Sequence, residues 1–347
     1  MALLNIAGGV ALILFGIRFL RKGLERLFGQ QLYEWIERAA RRPWQAAIAG
    51  LGFGTVAPSS TAQTLVALHL LRAGRLSPES VLGFLLGANL GITFTVQLIA
   101  LRIFDYYAVF ILVGLVCFQA APREKIRGAG QSLLGLGFIF LAMEITSGAA
   151  VRLAANPDFA TLLGVLVHYR LLVVVFAALL TLAMQSSTAT LGLALAIGGA
   201  GAAQLDLLIP VVLGTNLGIG LTSLLAGFPT WEGRRLAAAN VFLKTAVIVL
   251  LLAVFPWVQL WIEASGGTIA REVANLHTLF NLLVTAVGVA FAGPIGRVLQ
   301  RAMKPAAIAT GAQPPATHLD PAALATPAFA LANATRETLR EADAVKA

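Results

Sequence analysis

The chain has 347 residues, of which 58% are hydrophobic and 12% are charged, and its formal net charge is +9. The charged share is about half that of soluble globular domains, so the composition excludes an ordinary soluble protein and predicts a membrane protein. The basic residues form short, dispersed clusters between apolar runs, which argues against nucleic-acid binding. A single cysteine, Cys117, excludes an internal disulfide and a cysteine-based metal site, and the four histidines show no ligand spacing.

Seven apolar runs are long enough to cross a hydrocarbon layer of about 30 Å as helices. They cover residues 2–17, 80–101, 106–121, 129–147, 207–228, 236–257 and 273–296. The first run lacks the basic start and the cleavage site of a signal peptide, so we expect it to remain as the first span. Residues 21–44 place apolar side chains at helical spacing opposite charged ones, which predicts a separate amphipathic helix at the membrane interface.

Two further apolar regions, residues 45–71 and 172–198, are each interrupted by a serine motif. The motifs are PSSTAQ at residues 58–63 and QSSTAT at residues 185–190, and each is followed by a Gly-x-Asn-Leu-Gly-Ile signature. Residues 58–95 align with residues 185–222 without a gap, at an offset of 127, and 15 of the 38 positions are identical. The chain therefore contains a duplicated unit.

The number of full spans in the first unit predicts how the two units are oriented relative to the membrane. If each motif region is a re-entrant hairpin, the first unit has three full spans, and the second unit starts from the opposite face. The sequence thus predicts an all-α polytopic membrane protein of two inverted repeats with about eight full spans. Arginine and lysine are in excess on the side that this topology makes cytoplasmic, with the N-terminus outside and the C-terminus cytoplasmic.

The same topology divides the chain into four parts. Residues 1–122 form the first repeat unit, residues 123–258 the inverted second unit, and residues 259–304 the final span. Residues 305–347 are rich in Pro, Ala and Thr, which predicts a mostly disordered cytoplasmic tail that ends in a short helix around residues 335–346.

The breaks at the serine motifs indicate a binding site. A helix broken at membrane depth survives only where it lines a protein cavity or meets a ligand. Helix starts at Ser59-Ser60 and Ser186-Ser187 offer free N–H groups, which suit an oxyanion, together with hydroxyl and amide oxygens, which suit a hard cation such as Na⁺. Both ligand types together favour cation-coupled anion transport.

Structural interpretations of these residues stay open beside the functional one. Serine and threonine in membrane helices often bond their own backbone or a neighbouring helix. The signature asparagines can join helices, and the signature glycines can serve close packing. Glu144 and Lys244 lie inside predicted spans, and Arg18 lies near the end of one. Such charges are expected to line the transport path, to pair between spans or to snorkel towards the interface.

About residues 1–300 resemble the type II sodium/phosphate cotransporters, in their bacterial branch. Residues 185–190 with residues 214–218 match the family closely, as does the His-x-x-Phe-Asn element at residues 277–281. Residues 240–244 match a related element, with Lys244 as a departure. The resemblance implies Na⁺-coupled symport of inorganic phosphate by alternating access, without enzymatic activity and with no cofactor besides the coupling ion Na⁺.

The resemblance also implies the substrate and sodium site. It assigns ten residues of the two copies: Gln185, Ser186, Ser187, Thr188, Thr215, Asn216, Ser59, Ser60, Thr61 and Asn89. In the first copy Pro58 stands where the family has a glutamine, and Gln63 replaces a small hydroxyl residue. The Na⁺:phosphate stoichiometry therefore stays open.

The resemblance further implies a location in the bacterial cytoplasmic (inner) membrane, with phosphate, Na⁺ and the lipid bilayer as partners. Many bacterial relatives continue into a domain that resembles the phosphate-uptake regulator, which we expect to be lacking here. A separate cytoplasmic regulator and a homo-oligomer stay open as partners. One alternative function is export of phosphate or of another oxyanion, such as arsenate, with altered or no Na⁺ coupling. A remote alternative is an intramembrane hydrolase with Ser187 as nucleophile and His277 as base, although no Gly-x-Ser-x-Gly elbow is present.

Overall fold

A computed structural model describes residues 1–39, 42–101, 106–120, 123–302 and 327–346, and the side chains of these residues outside 29–39, 299–302, 327–328 and 340–346. The chain separates into two compact units, Met1–Met303 and Lys304–Ala347. Across the described ranges the secondary structure is helical and contains no strand. The predicted all-α fold is therefore confirmed.

The helices follow the duplication found in the sequence. The first repeat unit contains α1 (Ala2–Ala39), α2 (Pro43–Val56), α3 (Ser60–Arg72), α4 (Pro78–Ile99) and α5 (Tyr107–Ala120). The second contains α6 (Glu124–Ala154), α7 (Pro157–Leu166), α8 (Arg170–Met184), α9 (Ser187–Gly199), α10 (Leu205–Gly227) and α11 (Trp231–Ala253). Then come α12 (Phe255–Ala264), α13 (Ile269–Ala290) and α14 (Ala292–Ala302), while α15 (Pro327–Lys346) belongs to the C-terminal unit.

Six of the described helices are long and apolar enough to cross a membrane, namely α1, α4, α6, α10, α11 and α13. The pair α7 and α8, bent by 107° at its break, gives a seventh candidate if it is one span. The chain is thus a multi-pass membrane protein, while the span count of about eight stays a prediction. At 14 residues, α5 is shorter than a typical spanning helix.

The first helix differs from the sequence prediction. We expected a separate interfacial helix over residues 21–44, but α1 continues without a break from Ala2 to Ala39, so the boundary predicted at Arg21 is wrong. The junction contains good helix formers, and Arg21 forms an ion pair of 2.7 Å with Glu25 one turn later. In the C-terminal unit the helix expected near Thr335 is present, and it begins earlier, at Pro327.

Signature glycines set the packing within each repeat unit. A Cβ atom at Gly87 of α4 would overlap the carbonyl oxygen of Ala47 on α2, and a Cβ atom at Gly214 of α10 would overlap the carbonyl oxygen of Val174 on α8. The second glycine of each signature makes the equivalent contact one turn further on. Both units therefore hold the first half of their hairpin against the signature helix through the same backbone contact, which supports the close-packing interpretation of these glycines.

The two repeat units also meet through equivalent elements. In the antiparallel pair α1 and α6, Gly9 lies against Ala142, and Gly16 lies against Gly135. An offset of 126 residues relates Gly9 to Gly135 and Gly16 to Ala142, so each of the two contacts maps onto the other. A twofold axis that relates the two units would produce this pattern. Likewise, α3 packs against α10 and α9 packs against α4. The second half of each hairpin is therefore held by the signature helix of the other unit.

Replacement of Gly87 or Gly214 by alanine should lower stability, because the new Cβ atom has to displace a backbone carbonyl. Overpacking of this kind costs about 1–3 kcal/mol. The measurement is thermal unfolding of the purified protein in detergent. Gly148→Ala is the matched control, since no atom lies within 4 Å of its added Cβ, and we expect a gain of about 0.5–1 kcal/mol there. Equal melting temperatures for all three variants would contradict this packing.

Labelling of single cysteines tests the inverted topology. Gly74 and Gly201 end the two hairpins at equivalent positions with φ of 63° and 72°, and the neighbouring Arg75 and Gln204 are exposed. In a Cys117→Ala background, a membrane-impermeant maleimide should label Gln204→Cys in intact cells and Arg75→Cys only after permeabilisation. Labelling of both positions from one side would exclude inverted repeats.

Candidate functional site

Both serine motifs lie where a hairpin changes from its first helix to its second. The first serine of each motif is the N-cap, and its Oγ accepts a hydrogen bond from Ala62 N at 3.4 Å in the case of Ser59 and from Ala189 N at 3.2 Å in the case of Ser186. The two caps have nearly the same backbone, with φ and ψ of −144° and 108° for Ser59 and of −149° and 107° for Ser186. The predicted breaks are therefore present, and each is closed by a serine cap.

The two breaks differ at the residue before the cap. Gln185 adopts a left-handed backbone with φ of 51°, a conformation that is uncommon outside glycine and often marks functional sites. The equivalent Pro58 cannot follow, because its ring fixes φ near −65°. Gln185 is exposed, whereas Pro58 is buried. The departure noted in the sequence thus changes the backbone of the break as well as its side chain.

The remaining motif residues lie in the first turn of the second helix. Ser60, Ser187 and Thr188 are buried, and Thr61 is half-buried. The hydroxyl of Ser60 has no hydrogen-bond partner among the described residues. These side chains lie in the same first turns of α3 and α9 as the N–H groups at the helix starts, and their role as ligands stays a prediction.

Gln63 lies at the first break, although the sequence analysis did not include it among the site residues. It is fully buried, and its Nε2 donates to the carbonyl oxygens of Ala57 at 3.4 Å and Ala88 at 3.3 Å. Ala57 lies in the break after α2, and its carbonyl also accepts a hydrogen bond from Ser59 N at 2.7 Å, so the amide adds a second donor at the break. In the second unit the equivalent Thr190 instead bonds the hydroxyl of Thr181 at 3.0 Å. Position 58 has no glutamine, and the amide at the first break comes from Gln63 instead.

Two buried oxygens on α3 have no donor among the residues that the structure describes. They are Ser60 Oγ and Gln63 Oε1, and residues three apart lie on one face of a helix. Burial of an unpaired polar group costs free energy, so a missing ligand or water is the usual explanation. Hydroxyl and amide oxygens are suitable ligands for a hard cation.

The signature asparagines bond to the two later sequence elements. Asn89 Nδ2 donates to Asn240 Oδ1 of α11 at 3.4 Å. Asn216 Nδ2 lies 3.1 Å from His277 Nδ1, and Asn216 Oδ1 accepts from Asn281 Nδ2 of α13 at 3.0 Å. Both asparagines therefore join helices, as their structural interpretation proposed, and they do so at the centre of the molecule.

Thr215 and the predicted intramembrane charges have different surroundings. The hydroxyl of Thr215 donates to Val211 O of its own helix at 2.8 Å. Glu144 and Arg18 are exposed, and Lys244 is fully buried. Within the described part of the chain none of these three charges forms a salt bridge, so the expected pairing between spans is not observed there.

The hydrolase alternative finds no support in the contacts of its two proposed residues. His277 Nδ1 lies 3.1 Å from Asn216 Nδ2 and 3.3 Å from Asn281 Nδ2. Among the described residues no hydrogen bond joins His277 to Ser187. A nucleophile and its base require such a bond.

Two like units of membrane helices, each with a broken hairpin held by the other unit, have the architecture of secondary transporters. The family model described as Na+/Pi-cotransporter matches residues 12–148, which span the first unit and the first helix of the second. This match confirms the family resemblance that the serine motifs and signatures indicated.

Curated relatives extend the similarity over the whole chain. A protein of Escherichia coli (strain K12), named "Putative inorganic phosphate export protein YjbB", is 28% identical over 100% of this chain and 64% of its own length. The uncharacterized protein YqeW of Bacillus subtilis is 28% identical over 80% of this chain and 91% of its own. The human sodium-dependent phosphate transport protein 2C is 31% identical over 48% of this chain and 30% of its own.

The chain thus spans less than two thirds of the YjbB relative, at 64% of its length. The search of solved structures found no match.

Substitution of Gln63 by leucine should destabilise the protein by about 1–3 kcal/mol, because two hydrogen bonds from its buried amide to the carbonyl oxygens of Ala57 and Ala88 are lost. The measurement is again thermal unfolding in detergent. Gln259→Leu is the control: its amide bonds Glu263 at an exposed position, and we expect a change within about 0.5 kcal/mol. A Gln63→Leu protein as stable as this control would show that the amide is not needed at the break.

Proposed function

We propose that this chain is a secondary active transporter that carries inorganic phosphate together with Na⁺ across the bacterial cytoplasmic membrane by alternating access. One structural observation carries the proposal. Each serine motif forms a capped helix break inside apolar sequence, and in the first unit two buried oxygens beside that break have no donor. Breaks of this kind hold substrate and coupling ions in transporters built from repeats.

The comparisons support the choice of solutes. The matching family model is described by sodium and phosphate, and the human relative is named for sodium-dependent phosphate transport. The first turns of α3 and α9 supply N–H groups and hydroxyls for phosphate, while Ser60 Oγ and Gln63 Oε1 are oxygen ligands for Na⁺. We retain the ten residues predicted from the two motifs as the site, and we add Gln63.

The packing of the two repeat units supports the alternating-access mechanism. The reciprocal contacts between α1 and α6, and the crossed contacts of α3 with α10 and α9 with α4, are those that inverted repeats produce. Units related in this way can exchange their conformations and so open the site to either face in turn. The positive-inside pattern of the sequence supports an N-terminus outside.

Export of phosphate is the second candidate, because the relatives that match over the whole chain are named for phosphate export. The same N–H groups and hydroxyls would bind phosphate in either direction, and they would also accept arsenate. The two candidates differ in coupling: an exporter has altered or no dependence on the inward Na⁺ gradient.

Reconstituted protein distinguishes these functions. In proteoliposomes an inward Na⁺ gradient should accelerate uptake of radiolabelled phosphate, and replacement of Na⁺ by K⁺ should remove the acceleration. Phosphate flux that is unaffected by Na⁺ would favour the export candidate, and no phosphate flux in either direction would reject both.

Ser60→Ala should raise the Na⁺ concentration for half-maximal uptake by roughly tenfold, the expected cost of one lost ligand contact. Ser223→Ala is the matched control, because that buried hydroxyl already donates to Ile219 O at 3.1 Å. The same Na⁺ dependence in both variants would exclude Ser60 as a Na⁺ ligand.

A further inference from the structure

Lys244 is a charged side chain that the serine motifs do not use. It lies on α11, is fully buried, and its Nζ has no hydrogen-bond partner in the described part of the chain. Its aliphatic stem lies beside Gly220 on α10, which is one turn after Asn216. An uncompensated buried charge is strongly destabilising, and ionisable residues inside membrane spans usually serve function. A bound anion beside Lys244 would compensate such a charge.

His277 supplies a second unpaired donor close by. Its Nδ1 faces the Nδ2 atoms of Asn216 and Asn281, and the latter amide is fixed because its Nδ2 also donates to Asn216 Oδ1 and to His277 O. Since amide nitrogens only donate, Nδ1 has to be the acceptor, and the proton of the neutral ring lies on Nε2. His277 Nε2 is buried, and no described residue forms a hydrogen bond with it.

Asn240 supplies a third unpaired donor. Its Oδ1 accepts from Asn89, while its Nδ2 is buried without a partner across the described ranges. Asn240 lies one turn before Lys244 on the same face of α11. The stem of Lys244 lies beside Gly220, one turn after Asn216, and Asn216 Nδ2 lies 3.1 Å from His277 Nδ1. The unpaired groups of Asn240, Lys244 and His277 thus belong to one cluster.

Lys244 Nζ, His277 Nε2 and Asn240 Nδ2 are all hydrogen-bond donors, and a protonated Lys244 adds a positive charge. They do not suit a metal cation, because an ammonium group, a ring N–H and an amide nitrogen offer no lone pair to bind it. A single water molecule could accept only two of the three hydrogen bonds. An oxyanion with several oxygens matches the whole set and also balances the charge. On α3, by contrast, the unpaired groups are Ser60 Oγ and Gln63 Oε1, which are oxygens.

We propose that Lys244 Nζ, His277 Nε2 and Asn240 Nδ2 bind a tetrahedral oxyanion. The oxyanion that is transported from this site is inorganic phosphate. This anion site lies outside the serine motifs, and its role in transport rests on the proposed function. The site is closed in this conformation, since all three residues are buried. Entry of the anion therefore requires a movement of α11 or α13, as alternating access provides.

Binding of inorganic phosphate to the full chain in lipid nanodiscs tests the site. Lys244→Met, which keeps the length of the side chain, should weaken phosphate binding about 10- to 100-fold, the expected effect of losing one charge-assisted hydrogen bond. Lys244→Arg should retain binding within a few fold. In phosphate-free buffer Lys244→Met should melt at the wild-type temperature or above it, because an unpaired buried charge is removed.

His277→Asn is a second variant that separates binding from folding. The asparagine oxygen can take the place of Nδ1 as acceptor for Asn216 and Asn281, while nothing replaces Nε2. We expect a folded protein whose affinity for phosphate is reduced about tenfold. Lys125→Met, at an exposed position on α6, is the control and should bind as the wild type does.

The outcomes distinguish the anion site from the proposed function. Unchanged phosphate affinity in Lys244→Met or in His277→Asn would overturn the site, even if the wild type takes up phosphate with Na⁺. Lys244→Met that melts well below the wild type without phosphate would identify a structural lysine and would also overturn it. A wild type that binds phosphate or sulfate through Lys244 but transports no phosphate would leave the site standing and reject the proposed function.

Discussion

A helix that ends inside a hydrocarbon layer has to satisfy its open backbone groups with protein atoms, since no water is available there. The structure of this protein depends on how two hairpins meet that requirement. Ser59 and Ser186 cap the N–H groups of the second helix in each hairpin. In the first hairpin Gln63 also bonds the carbonyl of Ala57. The side chains that make the breaks tolerable are thus the ones that line them, which ties stability and binding to the same few positions.

The duplication, the two breaks and the helical class could be predicted from the sequence because they depend on local patterns. An offset of 127 aligned the motifs, and the structure repeats their backbone geometry and their glycine contacts at the same offset. The end of the first helix could not be predicted in this way. Amphipathic spacing after Arg21 indicates which face is apolar, but it contains no signal for a chain break, and α1 continues through it.

The central polar cluster required the tertiary structure. Asn89 bonds Asn240, which is 151 residues away, and Asn216 bonds Asn281, which is 65 residues away. No spacing rule connects such positions. Gln63 was missed for a related reason: the family motif has its glutamine before the serines, whereas the amide here comes from the first turn after the break. The two units therefore share a fold but differ in the side chains at the break. In the second unit Thr190, the equivalent of Gln63, bonds the hydroxyl of Thr181.

The separation of unpaired oxygens from unpaired donors bears on how transport would be coupled. A Na⁺ ion held by α3 would dissociate after transport, so its charge would cross the membrane with the substrate. A charge on Lys244 stays with the protein, so an anion bound there needs one fewer mobile cation to balance it. Without an anion, the closed conformation buries an uncompensated ammonium group, which costs free energy. With an anion, that cost is offset by charge-assisted hydrogen bonds. The loaded transporter would therefore close more readily than the empty one, and this difference in closing free energy would limit movement of the empty carrier.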